Sequence, residues 1–265
     1  MSHPLHAAVD GLMRKIGRDL LVPRFRTLDA GEIEEKAPND YVTVVDKASE
    51  AQLTEGLLAI LPGSHVVGEE AVAADPAILG RVATGTAWVV DPLDGTGNYA
   101  AGRTPFAMMV ALAEDGVVQA GWILDPINQR MCHAALGRGA YVDNHRIEGR
   151  ITGSAQPLGA LATRYLPVEV RAQVTARAEG HIAITDIPNC AGEQYPRLVL
   201  GTNDLALFWR AMPWDHAPGA LFLEEAGGRI ARIDGAPYRI GDDRPGLLAA
   251  ASPQLWDEAA ELLFS

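Results

Sequence analysis

Apolar positions at Leu5, Val9, Leu12, Ile16 and Leu20 recur at helical spacing and predict an amphipathic opening helix, with Pro23 as its stop. Residues 29–40, DAGEIEEKAPND, are charged and contain a proline, and read as a loop. The run YVTVVD then passes into a second helical pattern carried by Ala48, Ala51, Leu58 and Leu61. Asp46 thereby falls at a helix start, where it suits an N-cap. Two short β-rich runs, HVVGEE (residues 65–70) and AWVVD (residues 87–91), each end in acids. The segments FAMMVALAEDGVVQAGWILDP, RMCHAAL and GAYVDN are punctuated by turn-like EDG, DPINQ and GRG, and predict an antiparallel meander. Sheet and helix alternate in the second half. A helix is predicted around residues 168–179, and another carries the stripe Ala217, Leu221 and Glu225 before stopping at Gly227-Gly228. A terminal helix is capped by Ser252, with Pro253 in its first turn.

At 265 residues the chain suits one domain or two closely packed lobes. Acids outnumber bases 34 to 22, so the net charge of −12 opposes attraction to nucleic acid or anionic membranes, and neither is expected as a partner. A protein this acidic needs a local positive device if it is to bind an anion. Helix N-termini or metal ions would serve. The opening segment is interrupted by Asp10, Arg14, Lys15, Arg18 and Asp19, which argues against a signal peptide. No window approaches the roughly 20 apolar residues of a membrane span, and a cytoplasmic location is expected. Cys132 and Cys190 show no zinc spacing; reduced, buried thiols are expected, with a disulfide left open.

The stretch WVVDPLDGTGNYA ends an apolar run in two aspartates three apart. Carboxylates at the end of a buried strand are costly unless something positive neutralises them. Asp46, Glu69, Asp91, Asp94 and Asp215 all sit where an apolar segment meets a turn or helix start. Hard divalent cations such as Mg²⁺ take oxygen ligands of this kind, with waters and substrate phosphates completing the shell. Pro92 fixes a tight bend in which Asp91, Asp94 and the Leu93 carbonyl can converge. A helix beginning near Thr96 would turn its N–H groups to the same spot.

DPLDGTGN resembles the signature of the inositol monophosphatase family, among the lithium-sensitive, magnesium-dependent phosphatases. DYVTVVD and GEE upstream and WDHAPGALFLEEAGG downstream agree with it, so the matching elements run in family order from Lys36 to Gly228. The resemblance implies a layered αβαβα sandwich of class α+β, with two lobes at 1–145 and 146–265. It implies that Glu69, Asp91 and the Leu93 carbonyl hold one Mg²⁺, that Asp91, Asp94 and Asp215 hold a second, and that Glu69 also serves a third, weaker site; Mn²⁺ is expected to substitute. Asp46 and Thr96 match a pair that helps activate the attacking water, with Glu69 among the catalytic residues. Asp94, the Gly95 and Thr96 amides, and Asp215 match substrate contacts. Lys36 resembles a lysine near the active site. The activity implied is hydrolysis of a small phosphorylated metabolite by direct in-line displacement with no phosphoenzyme, most nearly that of an inositol-1-monophosphatase. A homodimer is expected.

Two departures bear on substrate. Phe208 stands where inositol-specific members carry a glutamate for sugar hydroxyls, and their small-residue turn reads NCAGE, residues 189–193. Phe208, Trp209 and Arg210 are read first as a core Phe/Trp pair with a surface Arg and second as a different specificity wall; Thr163, Arg164 and Tyr165 are lesser candidates. Histidinol phosphate, a sugar bisphosphate or a 3′-phosphonucleotide is the alternative substrate, with GTGNY tilting away from the nucleotide members. A regulatory binding protein is the alternative from another class. His216 reads as a helix-start group rather than a metal ligand, and Trp88 and Trp214 as packing residues beside site acids.

Overall fold

A computed structural model describes residues 2–38, 40–242 and 244–265. The opening helix α1 (His6–Ile16) runs into a π turn (Gly17–Leu21) and a last turn α2 (Val22–Arg24). Pro23 therefore does not stop the helix. The wider π turn accommodates a residue that lacks an N–H and whose ring crowds the preceding turn.

Residues 29–40 are not the expected loop. They contain a 3₁₀ turn (Ala30–Glu32) and strand β1 (Ile33–Ala37), which pairs antiparallel with β2 (Asp40–Thr43). A two-stranded ribbon with exposed acids lacks the apolar alternation that would reveal it in sequence. Helix α3 (Val44–Ile60) also differs from its expected stripe. Its buried face is Val45, Asp46, Ser49, Glu50, Leu53 and Leu57, while Ala51 and Leu58 are exposed. Three polar residues on that face displaced the apolar pattern.

Strand β3 (His65–Gly68) leads to helix α4 (Glu69–Ala74) and, after a 3₁₀ segment, to β4 (Thr86–Asp94) and helix α5 (Thr96–Ala100). The meander follows as expected: β5 (Ala107–Glu114), β6 (Val117–Asp125), β7 (Arg130–Ala135), β8 (Gly139–Val142) and β9 (His145–Ile147). Together β3 to β9 form a seven-stranded sheet in sequence order, antiparallel but for the β3–β4 pair.

The second half supplies β10 (Leu158–Leu161), α6 (Val168–Ala178), β11 (Ala183–Ile184), α7 (Ala191–Val199), β12 (Leu205–Phe208), α8 (Pro213–Glu225), β13 (Arg229–Arg232), β14 (Leu247–Ala250) and α9 (Pro253–Phe264). Its strands form a five-stranded sheet ordered β11-β10-β12-β14-β13. As expected, the Ser252 hydroxyl caps α9 by accepting from the Leu255 amide.

Strand alternation decides how these parts stack. Trp88, Val90, Met108, Val110, Trp122 and Leu124 pack against α1 and α3 on one face of the large sheet. Met109, Ile123 and Cys132 on the other face meet Tyr195, Leu198, Phe222 and Leu223 from α7 and α8. The far side of the small sheet packs on α6 and α9 through Leu207, Leu248, Val174 and Trp256. The layers are thus helix, sheet, helix, sheet, helix, the αβαβα sandwich expected. Between two sheets a helix is covered on every side, which is why ten residues of α8 are buried rather than the single stripe foreseen.

Candidate active site

Asp91 shares a strand face with Val89, which packs against Trp214 and Ala217 of α8. Alternation thus turns Asp91 between the two sheets, towards the helix that carries Asp215. A register shift between Asp91 and Asp94 breaks the ladder just where Pro92 has no N–H to donate. Asp91 Oδ1 accepts from the Leu93 amide at 2.9 Å, which closes the bend. Gly95 then takes φ +84° as the residue before α5, a left-handed conformation that disfavours any side chain.

Glu69, Asp46 and Asp215 all lie in first helical turns, where the exposed amides favour negative charge. Asp46 is the third residue of α3 rather than its N-cap. Thr43 is the cap, and Asp46 Oδ2 accepts from the Thr43 amide at 2.8 Å and from its hydroxyl at 2.5 Å. Asp46 Oδ1 lies 3.0 Å from Thr96 Oγ1, which is also 2.8 Å from the Leu93 carbonyl.

Carboxylate oxygens of Asp91, Asp94 and Asp215 all lie within 4.8 Å of one another. Glu69 is outside this trio but lines the same cavity of about 680 Å³, as do Leu93, Gly95 and Thr96. Asp46 and Lys36 do not line it. Asp46 is buried behind Thr96, and Lys36 reaches from β1 to Glu69 at 3.3 Å and Glu70 at 3.1 Å.

The electrostatics are those of crowded negative charge. Burial, then Glu69, Asp94 and Asp215, hold the Asp91 carboxyl well above the ordinary range. Burial also raises Asp94, against hydrogen bonds from Cys190, Gly192 and neighbouring amides. Burial and the charge of Asp215 push Glu69 up to about 8 although Lys36 opposes the shift. Burial pushes Asp46 up to about 6. Burial works against the Lys36 ammonium too, yet Glu69 and Glu70 outweigh it and raise its pKa. Carboxylates crowded until each disfavours the next one's ionisation are what a divalent cation would relieve, and the donor set is all oxygen. The residues present fit such an ion.

Three contributors escaped the sequence reading. Glu50 accepts from the Glu70 and Ala71 amides, both at 2.8 Å, and so anchors the turn that presents Glu69. The Gly192 amide donates to Asp94 Oδ2 at 2.6 Å. Tyr41 lines the cavity from β2. Other assignments change. Phe208 and Trp209 are half-buried and pack against core clusters, as first read, with Arg210 exposed, and together with Arg210, Arg164 and Tyr165 they also line the cavity, so both readings hold. Trp214 also lines the cavity besides packing. His216 is buried between the Tyr195 hydroxyl at 2.7 Å and the Arg210 carbonyl at 3.0 Å, and burial pushes its pKa down to about 4. Both cysteines are free and buried.

Residues 4–264 match the model of the inositol monophosphatase family. The chain belongs to that family. An inositol-1-monophosphatase of Bacillus subtilis (strain 168) is 30% identical over 214 residues, which cover 78% of each chain. A histidinol-phosphatase of Mycobacterium tuberculosis is 32% identical over 242 residues, 89% of this chain and 88% of the relative. The crystal structure of the extragenic suppressor protein suhB from Bartonella henselae superposes with a TM-score of 0.85 at 23% identity, covering 99% of both chains; at that identity the likeness concerns the fold alone. As an inositol monophosphatase family member the chain is a phosphoric monoester hydrolase. Among the described residues no helix is long and apolar enough to cross a membrane.

Proposed function

We propose that this family member hydrolyses a small phosphate monoester with divalent cations, Mg²⁺ in the first place, held by Glu69, Asp91, the Leu93 carbonyl, Asp94 and Asp215. The observation that carries this reading is the approach of Asp91, Asp94 and Asp215 within 4.8 Å in one cavity. A bound cation would polarise the phosphoryl group and make a nearby water more acidic.

The chain's own residues supply the rest. Thr96 Oγ1 has one proton and two acceptors within reach, Leu93 O and Asp46 Oδ1. Asp46 lies behind it and does not line the cavity. A proton given up at the cavity surface therefore passes to Thr96 Oγ1 while the Thr96 proton moves to Asp46 Oδ1. With its pKa near 6, Asp46 is ionised at neutral pH and basic enough to accept it. The Gly95 and Thr96 amides hold the phosphate, and Lys36 favours the ionised form of Glu69 against burial and the charge of Asp215.

A substrate among small phosphorylated alcohols is supported by relatives named an inositol-1-monophosphatase and a histidinol-phosphatase. The test is phosphate release from such an ester. It is expected only with Mg²⁺ or Mn²⁺ and to be lost in Asp91→Asn; equal turnover in excess chelator contradicts the proposal.

A further inference from the structure

Tyr195 of α7 and His216 of α8 meet where the two helices touch, both almost wholly buried. A phenol and an imidazole are costly to bury unless each polar atom finds a partner. Here the partners fix one another. The Arg210 carbonyl, 3.0 Å from His216 Nε2, can only accept, so Nε2 carries the ring proton and Nδ1 is left as an acceptor. The Tyr195 hydroxyl, 2.7 Å away, therefore donates to Nδ1. His216 stands at the cavity wall, but both of its ring nitrogens are occupied, so neither is open to a substrate.

Both ends of this bond lead to an acid of the cluster. One turn before Tyr195, the Gly192 amide holds Asp94 Oδ2. His216 directly follows Asp215 in the first turn of α8. The Tyr195 ring also packs on the α8 backbone at Gly219, where any Cβ would overlap it. Gly219 lies one turn beyond Asp215, on the same face of the helix. Phe208 closes the third side, its ring stacked 5.5 Å from Tyr195 and edge-on 4.8 Å from His216. Asp94 ends a strand of the large sheet while Asp215 rides on a helix, so a slide of α7 against α8 would change their separation. Apolar packing is non-directional and opposes a small slide weakly, whereas a hydrogen bond has a preferred length and angle.

On the metal reading above, we infer that Tyr195 and His216 are positioning residues, whose hydrogen bond locks α7 to α8 and so sets the distance between Asp94 and Asp215 across which a divalent cation would be held. They act through the two aspartates and not on the reacting atoms.

Calorimetric titration of the metal-free full chain with Mn²⁺, without substrate, tests this. Tyr195→Phe removes one oxygen and keeps the ring against Phe208 and Gly219. It is expected to weaken Mn²⁺ binding about tenfold, the lower end of what is lost with a group that orients a metal ligand. His216→Leu should weaken binding at least as much, and adding Tyr195→Phe to it should cost nothing further, because the hydroxyl then has no acceptor left to lose. His216→Asn, whose side-chain oxygen can stand in for Nδ1, should bind Mn²⁺ more tightly than His216→Leu. Parent affinity in Tyr195→Phe, losses that simply add in the double variant, or His216→Asn no better than His216→Leu overturns the inference and leaves the metal reading standing. A parent chain that binds no Mn²⁺ overturns both.

Discussion

The Gly192 amide donates to Asp94 Oδ2 at 2.6 Å, joining residues 98 apart in sequence. Asp94 ends β4 of the large sheet and Gly192 opens α7, so this bond sets where one carboxylate of the cluster stands relative to Asp215 on α8. A Cβ at position 192 would lie 2.6 Å from the Ala107 Cβ and 3.3 Å from Asp94 Oδ2. Neither the methyl on a central strand nor the carboxylate can yield easily. Gly192→Ala is therefore expected to cost about 1–3 kcal/mol of stability, as overpacked sites do. It is also expected to lower kcat more than it raises KM. Thermal unfolding and steady-state kinetics check both effects, and unaltered values in each would contradict this role for the bond.

Asp91→Asn is expected to separate activity from stability. The side chain is buried, and its charge is opposed by burial and by Glu69, Asp94 and Asp215. Neutralising it removes that repulsion, so the variant should unfold at a higher temperature than the parent in excess chelator. Each kcal/mol gained should appear as roughly 2–4 °C. Phosphate release should fall by roughly 10²–10³-fold. A lower Tm in chelator would show that the cluster is not under electrostatic strain.

Glu50→Ala is expected to impair the site without touching it. Its carboxylate satisfies the Glu70 and Ala71 amides of the turn carrying Glu69. Two backbone donors left unpaired should cost about 1–3 kcal/mol each where water cannot replace the partner. Mn²⁺ affinity, measured by calorimetry, should weaken several-fold, and Glu50→Gln should recover part of it through its one remaining acceptor oxygen. Affinity equal to the parent's in Glu50→Ala would remove Glu50 from the site.

Glu50 and Gly192 show where sequence reading stopped. The meander, α8 and the terminal helix were legible because strand alternation, turn residues and caps are local signals. The acids at positions 69, 91, 94 and 215 stood out because each interrupts an apolar run. Glu50 did not stand out, for it lies mid-helix among other polar residues, and its two partners are reached only once α3 lies beside α4. Gly192 was one glycine among many until α7 docked on β4 and β5. The β1–β2 ribbon stayed hidden because little of it is buried. The wall role of Phe208 and Trp209 depends on which way the end of β12 faces, and that is fixed by pairing Phe208 with Leu247.

Stability should fall with acid through His133. Its ring is buried, stacked 3.7 Å from His6 and 4.9 Å from Tyr141, and burial followed by the His6 neighbour push its pKa down to about 3. The unfolded chain takes up a proton on this group near pH 6.5, whereas the folded chain refuses it until about pH 3. The resulting stability is complete above the unfolded value and is lost progressively as the pH falls through that window. Glu69 and Asp46, whose pKa values are raised, act in the opposite sense. The informative quantity is thus the difference between parent and His133→Gln. The variant should lose less Tm between pH 7 and pH 5 than the parent, and parallel curves would contradict the assignment.

The most direct measurement of the central claim is anomalous diffraction at the manganese edge from crystals of the chain soaked in Mn²⁺. The account predicts a peak in contact with carboxylate oxygens of Asp91, Asp94 and Asp215, with a neighbouring peak drawn to Glu69 and the Leu93 carbonyl. A cavity without a peak under saturating Mn²⁺, or ions bound elsewhere with these carboxylates untouched, would contradict it.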